Sequence, residues 1–134
     1  MREILFRGKR VDNGEWVYGS SFRLNENLNP FIMLINGGGT SYEVNNDTRN
    51  LFTGLTDKNG AKIFEGDICE VCLGIDTFYT GVIYYDERVA AFGIDYNNGK
   101  CNLLLDILRA KGIDTWINVI GNIHDNPELL EGRG

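Results

Sequence analysis

Four side chains in this chain carry zinc-ligand chemistry. They are Cys69 and Cys72, spaced as Cys-x-x-Cys, Cys101, and His124, the one histidine of the sequence. Two or three thiolates and an imidazole make a tetrahedral site when they converge. The local sequence opposes convergence. Residues 68–73 read as a strand, where positions i and i+3 point to opposite faces. Glu70-Val71 offers no turn chemistry to bend the chain into a knuckle. A redox Cys-x-x-Cys draws its reactivity from a helix N-terminus, and no helix is expected there. Buried cysteine acting as a small hydrophobe is the favoured reading, and no metal ligand is assigned.

A second constellation is Asp57-Lys58-Asn59-Gly60. Aligning Gly60 with the glycine of a calcium loop puts Leu55 at the first ligand position and Gly66 at the last. Neither can ligate, so the segment is read as a turn. Gly37-Gly38-Gly39 is not followed by Gly-Lys-Ser/Thr, and no Gly-x-Ser-x-Gly elbow occurs. A histidine-dependent triad would have to use His124, which falls in a turn and is read as a solvated side chain. No catalytic residue and no cofactor-binding residue is assigned, and the chain is expected not to be an enzyme.

A third constellation is basic and aromatic. Arg7-Gly8-Lys9-Arg10 lies across a hairpin from Trp16 and Tyr18. Such a set can contact phosphate and stack a base. Arg7, Lys9, Arg10, Lys58 and Lys62 are the candidate nucleic-acid contacts. The opposing reading, a solvated basic turn beside core aromatics, is favoured by the charge balance. Thirteen Lys and Arg against 19 Asp and Glu leave a net charge of −6, which disfavours broad attraction to nucleic acid or anionic membrane.

The elements that would position these residues are mostly strands. The 134 residues include 17 glycines and two prolines, and suffice for one domain or two small lobes. Asn-Gly occurs at 13–14, 36–37, 59–60 and 98–99. Two or three of these are expected to be two-residue hairpin turns, with both residues at positive φ. Strands are expected at Ile4–Gly8, Glu15–Ser20, Phe31–Ile35, Thr40–Val44, Ile68–Leu73, Phe78–Tyr85, Val89–Tyr96 and Trp116–Ile123. The polar stretch Arg23–Pro30 reads as a loop, and Leu51–Leu55 as a short turn-like piece. Adjacent apolar residues in the strands at 78–85 and 89–96 predict cover on both faces. One helix of about ten residues is expected after Asn102 as N-cap, with Leu104, Ile107 and Leu108 as its apolar stripe and Gly112 beyond its end. Leu129 and Leu130 are expected to tuck the tail down. No apolar run approaches the ~20 residues of a membrane span, no secretory signal is present, and three cysteines do not make a disulfide scaffold. These features predict a reducing, cytoplasmic setting.

Three segments together resemble the YopX-like family of phage and prophage proteins. They are Phe6-Arg7-Gly8-Lys9 with Gly14-Glu15-Trp16-Val17-Tyr18-Gly19; Phe52 to Gly60 with Ile63 to Ile68; and Val119 to Leu130. The resemblance covers nearly the whole chain, and residues 21–43 and 73–115 match loosely. It implies a gene carried in a bacterial host, an SH3-like small barrel in the C-terminal part, and homo-oligomers; it implies no activity and no catalytic residues. The fold class expected is mainly β: N-terminal antiparallel β-hairpins over 1–50, then an SH3-like small barrel with one short helix over 51–134. The function expected is a non-enzymatic accessory protein that binds itself and a host or phage protein. A nucleic-acid-binding small barrel is the alternative, and a zinc-dependent protein a weaker one.

Overall fold

The structure, a computed structural model, describes residues 3–24, 31–35, 38–74, 77–96, 100–109 and 115–131, with the backbone alone for 24 and 31–35. The chain is mainly β and divides into two compact units, Met1–Gly54 and Leu55–Gly134.

In the first unit, β1 (Phe6–Lys9) pairs antiparallel with β2 (Trp16–Gly19), Phe6 opposite Gly19 and Lys9 opposite Trp16. Next come β3 (Ser21–Leu24), β4 (Phe31–Ile35) and β5 (Ser41–Asn45), which form their own antiparallel sheet. After a 3₁₀ turn at Asn46–Thr48, β6 (Asn50–Thr56) returns beside β1 with Leu51 opposite Phe6. Val44, fully buried, packs with Phe6, Val17 and Tyr42. Gly8 is needed there, because a Cβ on it would sit 2.9 Å from Val44 Cγ2. Two expectations are corrected. Arg23 and Leu24 belong to β3 rather than to a loop, and residues 25–30 lie outside the described residues. Leu51–Leu55 is not turn-like but part of a seven-residue strand. Gly54, at φ +87°, is accommodated inside that strand instead of ending it.

In the second unit, β7 (Lys62–Phe64) precedes a tight turn through Gly66, at φ +82°, into β8 (Asp67–Leu73). Then follow β9 (Phe78–Asp86), β10 (Ala91–Asp95), β11 (Cys101–Leu103), α1 (Leu104–Arg109) and β12 (Thr115–Asn122). The antiparallel sheet runs β11-β10-β9-β8-β12, so the last long strand returns beside the first. β11 and β12 are its two edges and do not pair with each other among the described residues. The observed unit is therefore a five-stranded antiparallel sheet, with α1 between its last two strands. Its core is Ile63, Cys69, Val71, Ile83, Ile94, Tyr96, Leu104, Ile107 and Ile117.

The strand buried on both faces is β8, where Ile68, Cys69, Val71 and Cys72 are all buried. β9 differs from expectation: Ile83 is buried while Phe78 and Tyr85 are exposed. Phe78 and Tyr85 lie near the two ends of the strand and on opposite faces, so cover is lost towards its ends. α1 has six residues, with Leu104 and Ile107 buried. Asn102 is not its N-cap, because it lies in β11 and its Oδ1 accepts from Tyr96 Oη at 3.0 Å. Gly112 is outside the described residues.

The Asn-Gly turns form at 13–14 and 59–60, while 36–37 and 98–99 fall outside the described residues. Asn13 and Asn59 keep negative φ, and only Gly14 (+72°) and Gly60 (+84°) cross over. At 57–61 the Gly60 N–H donates to Asp57 O and the Asp57 N–H to Ala61 O. This is a type I turn closed by a left-handed glycine, a three-residue loop rather than the two-residue turn expected.

Candidate interaction surface

The β1–β2 register sets Arg7 opposite Tyr18 and Lys9 opposite Trp16. Because side chains alternate along a strand, all four share one face of the sheet. Arg7 Cζ lies 4.7 Å from the Trp16 ring centroid and Lys9 Nζ 5.5 Å from it. Arg7 Nε donates to Asn50 Oδ1 at 3.2 Å, so the neighbouring strand β6 orients the guanidinium. Arg7 is only 7 % exposed, whereas Tyr18 is 47 % exposed. The expected solvated basic turn beside core aromatics is thus reversed: the cation is buried and the aromatic faces water. Arg10 leaves this face. It pairs with Asp12 at 2.6 Å and lies over the Tyr42 ring, beside a shallow cavity of about 140 Å³ lined by Val11, Ser41 and Glu43. Arg49 sits 4.3 Å over Phe22, which packs edge-on against Phe6.

The charge is unevenly distributed. Met1–Gly54 holds six Lys and Arg against six Asp and Glu, while Leu55–Gly134 holds seven against thirteen. The whole −6 therefore belongs to the second unit, and the cation–aromatic face belongs to a neutral one. Of the remaining basic candidates, Lys58 lies 3.9 Å over the Trp116 ring and Lys62 is an exposed residue of β7. Both are in the second unit.

The buried carboxylates of the second unit are committed to holding backbone. Asp57 Oδ1 accepts from the N–H groups of Asn59 and Ala61, each at 2.9 Å, and Oδ2 accepts from Val119 N–H at 3.0 Å. Burial by itself raises the Asp57 pKa; the bonds from Val119, Ala61 and Asn59 outweigh it and hold the pKa below the ordinary value. Asp67 Oδ2 accepts from Phe64 N–H at 2.8 Å and fixes the entry to β8. Asp86 binds Arg88 through both carboxylate oxygens, and that pairing holds its pKa down. After β12, Asn122 Oδ1 accepts from the N–H groups of His124 and Asp125, and Asn126 Oδ1 from Asn122 N–H.

The four zinc-type residues are dispersed. Cys69 and Cys72 are buried on opposite faces of β8, and Cys72 Sγ donates to Gly74 O at 3.1 Å. Cys101 is exposed on β11, three strands away, a separation of about 14 Å at ordinary strand spacing. His124 is half-buried in the turn after β12 rather than solvated. No cluster of three metal-ligating side chains forms among the described residues. Cys101 instead hydrogen-bonds Tyr84, which raises the phenol pKa to about 12.

Sequence reasoning found Arg7, Lys9, Trp16 and Tyr18. It missed Asn50 as their support, the Arg49–Phe22 stack and the reach of Asp57 to Val119. These join residues 27 to 62 positions apart, and no local pattern announces them.

Fold and surface define a small antiparallel β protein with two units and a cation–aromatic face. Among its described residues no helix is long and apolar enough to cross a membrane. The chain belongs to the YopX family, whose pattern, described as YopX protein, matches residues 5–131. It is similar to the crystal structure of protein EF1440 from Enterococcus faecalis, at 29 % identity and a TM-score of 0.56, covering 98 % of this chain and 100 % of that one. No curated protein matches it.

Proposed function

We propose that this YopX-family chain is a non-enzymatic protein-interaction module, an accessory protein of a phage or prophage that self-assembles in the bacterial cytoplasm and binds a host or phage protein. The observation that carries the reading is the face built by Arg7, Lys9, Trp16 and Tyr18. Aromatic side chains dominate binding energy at protein interfaces; here Tyr18 is exposed, and Arg7, held by Asn50, fixes the face around it. The polar groups of the matched motifs support it from the other side. Asp57, Asp67, Asn122 and Asn126 are all engaged with backbone N–H groups, which is a structural rather than a catalytic use.

Native mass spectrometry of the untagged protein tests this reading. A discrete oligomer that dissociates on Tyr18→Glu is the expected result. A wild-type protein that stays monomeric over a wide concentration range overturns self-assembly.

The same face favours a second reading, binding of single-stranded nucleic acid, with Tyr18 as the stacking platform and Lys9 as a phosphate contact. The neutrality of the first unit removes part of the charge objection. Salt-sensitive binding of mixed oligonucleotides, weakened by Lys9→Ala, is its signature; no binding at low ionic strength ends it.

A further inference from the structure

The outer edge of β12 carries a surface independent of the face above. Thr115–Asn122 reads TWINVIGN, with no charged residue and no proline. It is the last strand of its sheet and pairs on one side, with β8. Edge strands of this kind, rich in β-branched and aromatic residues and free of charge, recruit other strands unless something blocks them.

In this protein the turn at Asp57–Gly60 occupies that edge. Lys58 N–H donates to Ile117 O at 2.9 Å, Asn59 Nδ2 donates to Asn118 Oδ1 at 2.9 Å, and Val119 N–H donates to Asp57 Oδ2 at 3.0 Å. Three consecutive residues of the turn hold three consecutive residues of the strand. The Lys58 ammonium over Trp116 also places a charge at the rim. Just beyond Val119 the pairing with β8 shifts register at Ile120, so regular pairing is interrupted where the turn stops.

We propose that the Asp57–Gly60 turn is an edge guard, and that its release exposes β12 as a pairing surface for β12 of a second copy of this chain. A second copy is the fitting occupant because an antiparallel pair about a two-fold axis is self-complementary. Centred on Asn118, such a pair sets Asn118 against its own copy and Trp116 against Ile120, with no like charges opposed in either row. The guard keeps the family's central motif and its closing strand in contact, and denies the edge to neighbouring chains while that contact lasts.

Lys58→Pro with Asn59→Ala is the informative variant. Lys58 is the second residue of a type I turn, a position that accepts proline, so the turn survives while the N–H that held Ile117 O is gone. Asn59→Ala removes the second hold, and Asp57 keeps its own backbone partners. Two measurements are made on the full chain: Val119 amide exchange by NMR, and mass by sedimentation. Exchange at Val119 roughly tenfold faster than in the wild type is expected, together with an added association step to twice the wild-type mass. Adding Asn118→Lys, which opposes like charges across the two-fold axis, should abolish that step alone. Unchanged Val119 exchange overturns the guard, and so does faster exchange in a folded variant without added association. An association step that survives Asn118→Lys overturns the β12 pairing. Assembly through the Tyr18 face would already be present in the wild type and insensitive to Asn118→Lys, so the two readings fail separately.

Discussion

Asp57 and Val119, 62 residues apart in sequence, are joined by a 3.0 Å hydrogen bond from the Val119 N–H to Asp57 Oδ2. The bond ties the turn between β6 and β7 to the edge of the sheet that β12 completes. A carboxylate already holding two N–H groups of its own turn thus takes a third from a distant strand.

Asp57→Asn should destabilise the protein by about 2 kcal/mol, the scale of hydrogen bonds to a charged acceptor. Asparagine can still accept from Asn59 and Ala61 with its oxygen. Its amide would then face the Val119 N–H, donor against donor. Urea unfolding at neutral pH measures the loss.

The same residue gives a pH signature. The folded-state pKa of Asp57 lies below its ordinary value of 3.8. Its contribution is therefore fully present above the unfolded-state pKa and is lost as pH falls through the folded one. The stability gap between wild type and Asp57→Asn should be constant above about pH 5 and should shrink below the ordinary carboxylate value. A gap that widens on acidification would contradict the assignment.

Arg7 and Lys9 flank one indole but differ in burial. Arg7→Ala should cost about 2 kcal/mol or more, since it removes a buried, hydrogen-bonded stem as well as a charge. Lys9→Ala, at a half-buried residue, should cost less, about 1 kcal/mol, the scale of a cation–π contact that is still solvated. Each unit holds one tryptophan, Trp16 in the first and Trp116 in the second. Fluorescence-detected unfolding in a Trp116→Phe background therefore reports the first unit.

Thiol chemistry should separate the cysteines. Cys101 is exposed, while Cys69 and Cys72 are buried. A disulfide reagent should titrate one thiol quickly and the other two upon unfolding. Cys101→Ala removes the bond that raises the Tyr84 pKa to about 12, so that phenol should move toward 10.0 in a spectroscopic titration.

Two glycines should respond for different reasons. A Cβ on Gly81 would lie 2.6 Å from Ile94 Cγ1 and 2.8 Å from the Asp95 carbonyl oxygen. Backbone cannot give way as a flexible side chain does, so Gly81→Ala should cost at least the roughly 1–3 kcal/mol typical of overpacking. Gly14 has open space around it but φ +72°, so Gly14→Ala should carry only the left-handed penalty, about 1 kcal/mol. Paired thermal melts compare them.

Much of the strand plan was legible because strands and turns are written locally. Asn13-Gly14 and Asn59-Gly60 mark turns wherever they occur, and Phe31–Ile35 and Ile68–Leu73 have the composition of strands. Leu51–Leu55 was misread because Thr53-Gly54 looks like a turn, and pairing with neighbouring strands holds it extended. Asn102 looked like a cap because its type suits one; β11 and the Tyr96 hydroxyl claimed it instead.

The sequence by itself determined a mainly β chain, the membership of its three long motifs in one family, and the nearness of Arg7 and Lys9 to Trp16 and Tyr18 across one hairpin. All of these depend on near neighbours or on period-two alternation. Tertiary structure alone decided which polar groups are buried, that Arg7 rather than Trp16 or Tyr18 is the most enclosed member of its face, that the cysteines do not converge, and that Asp57 accepts from the Val119 N–H of β12. Those outcomes depend on which strands pair across tens of residues. A carboxylate that reaches a backbone N–H 62 positions away leaves no mark in the residues beside it.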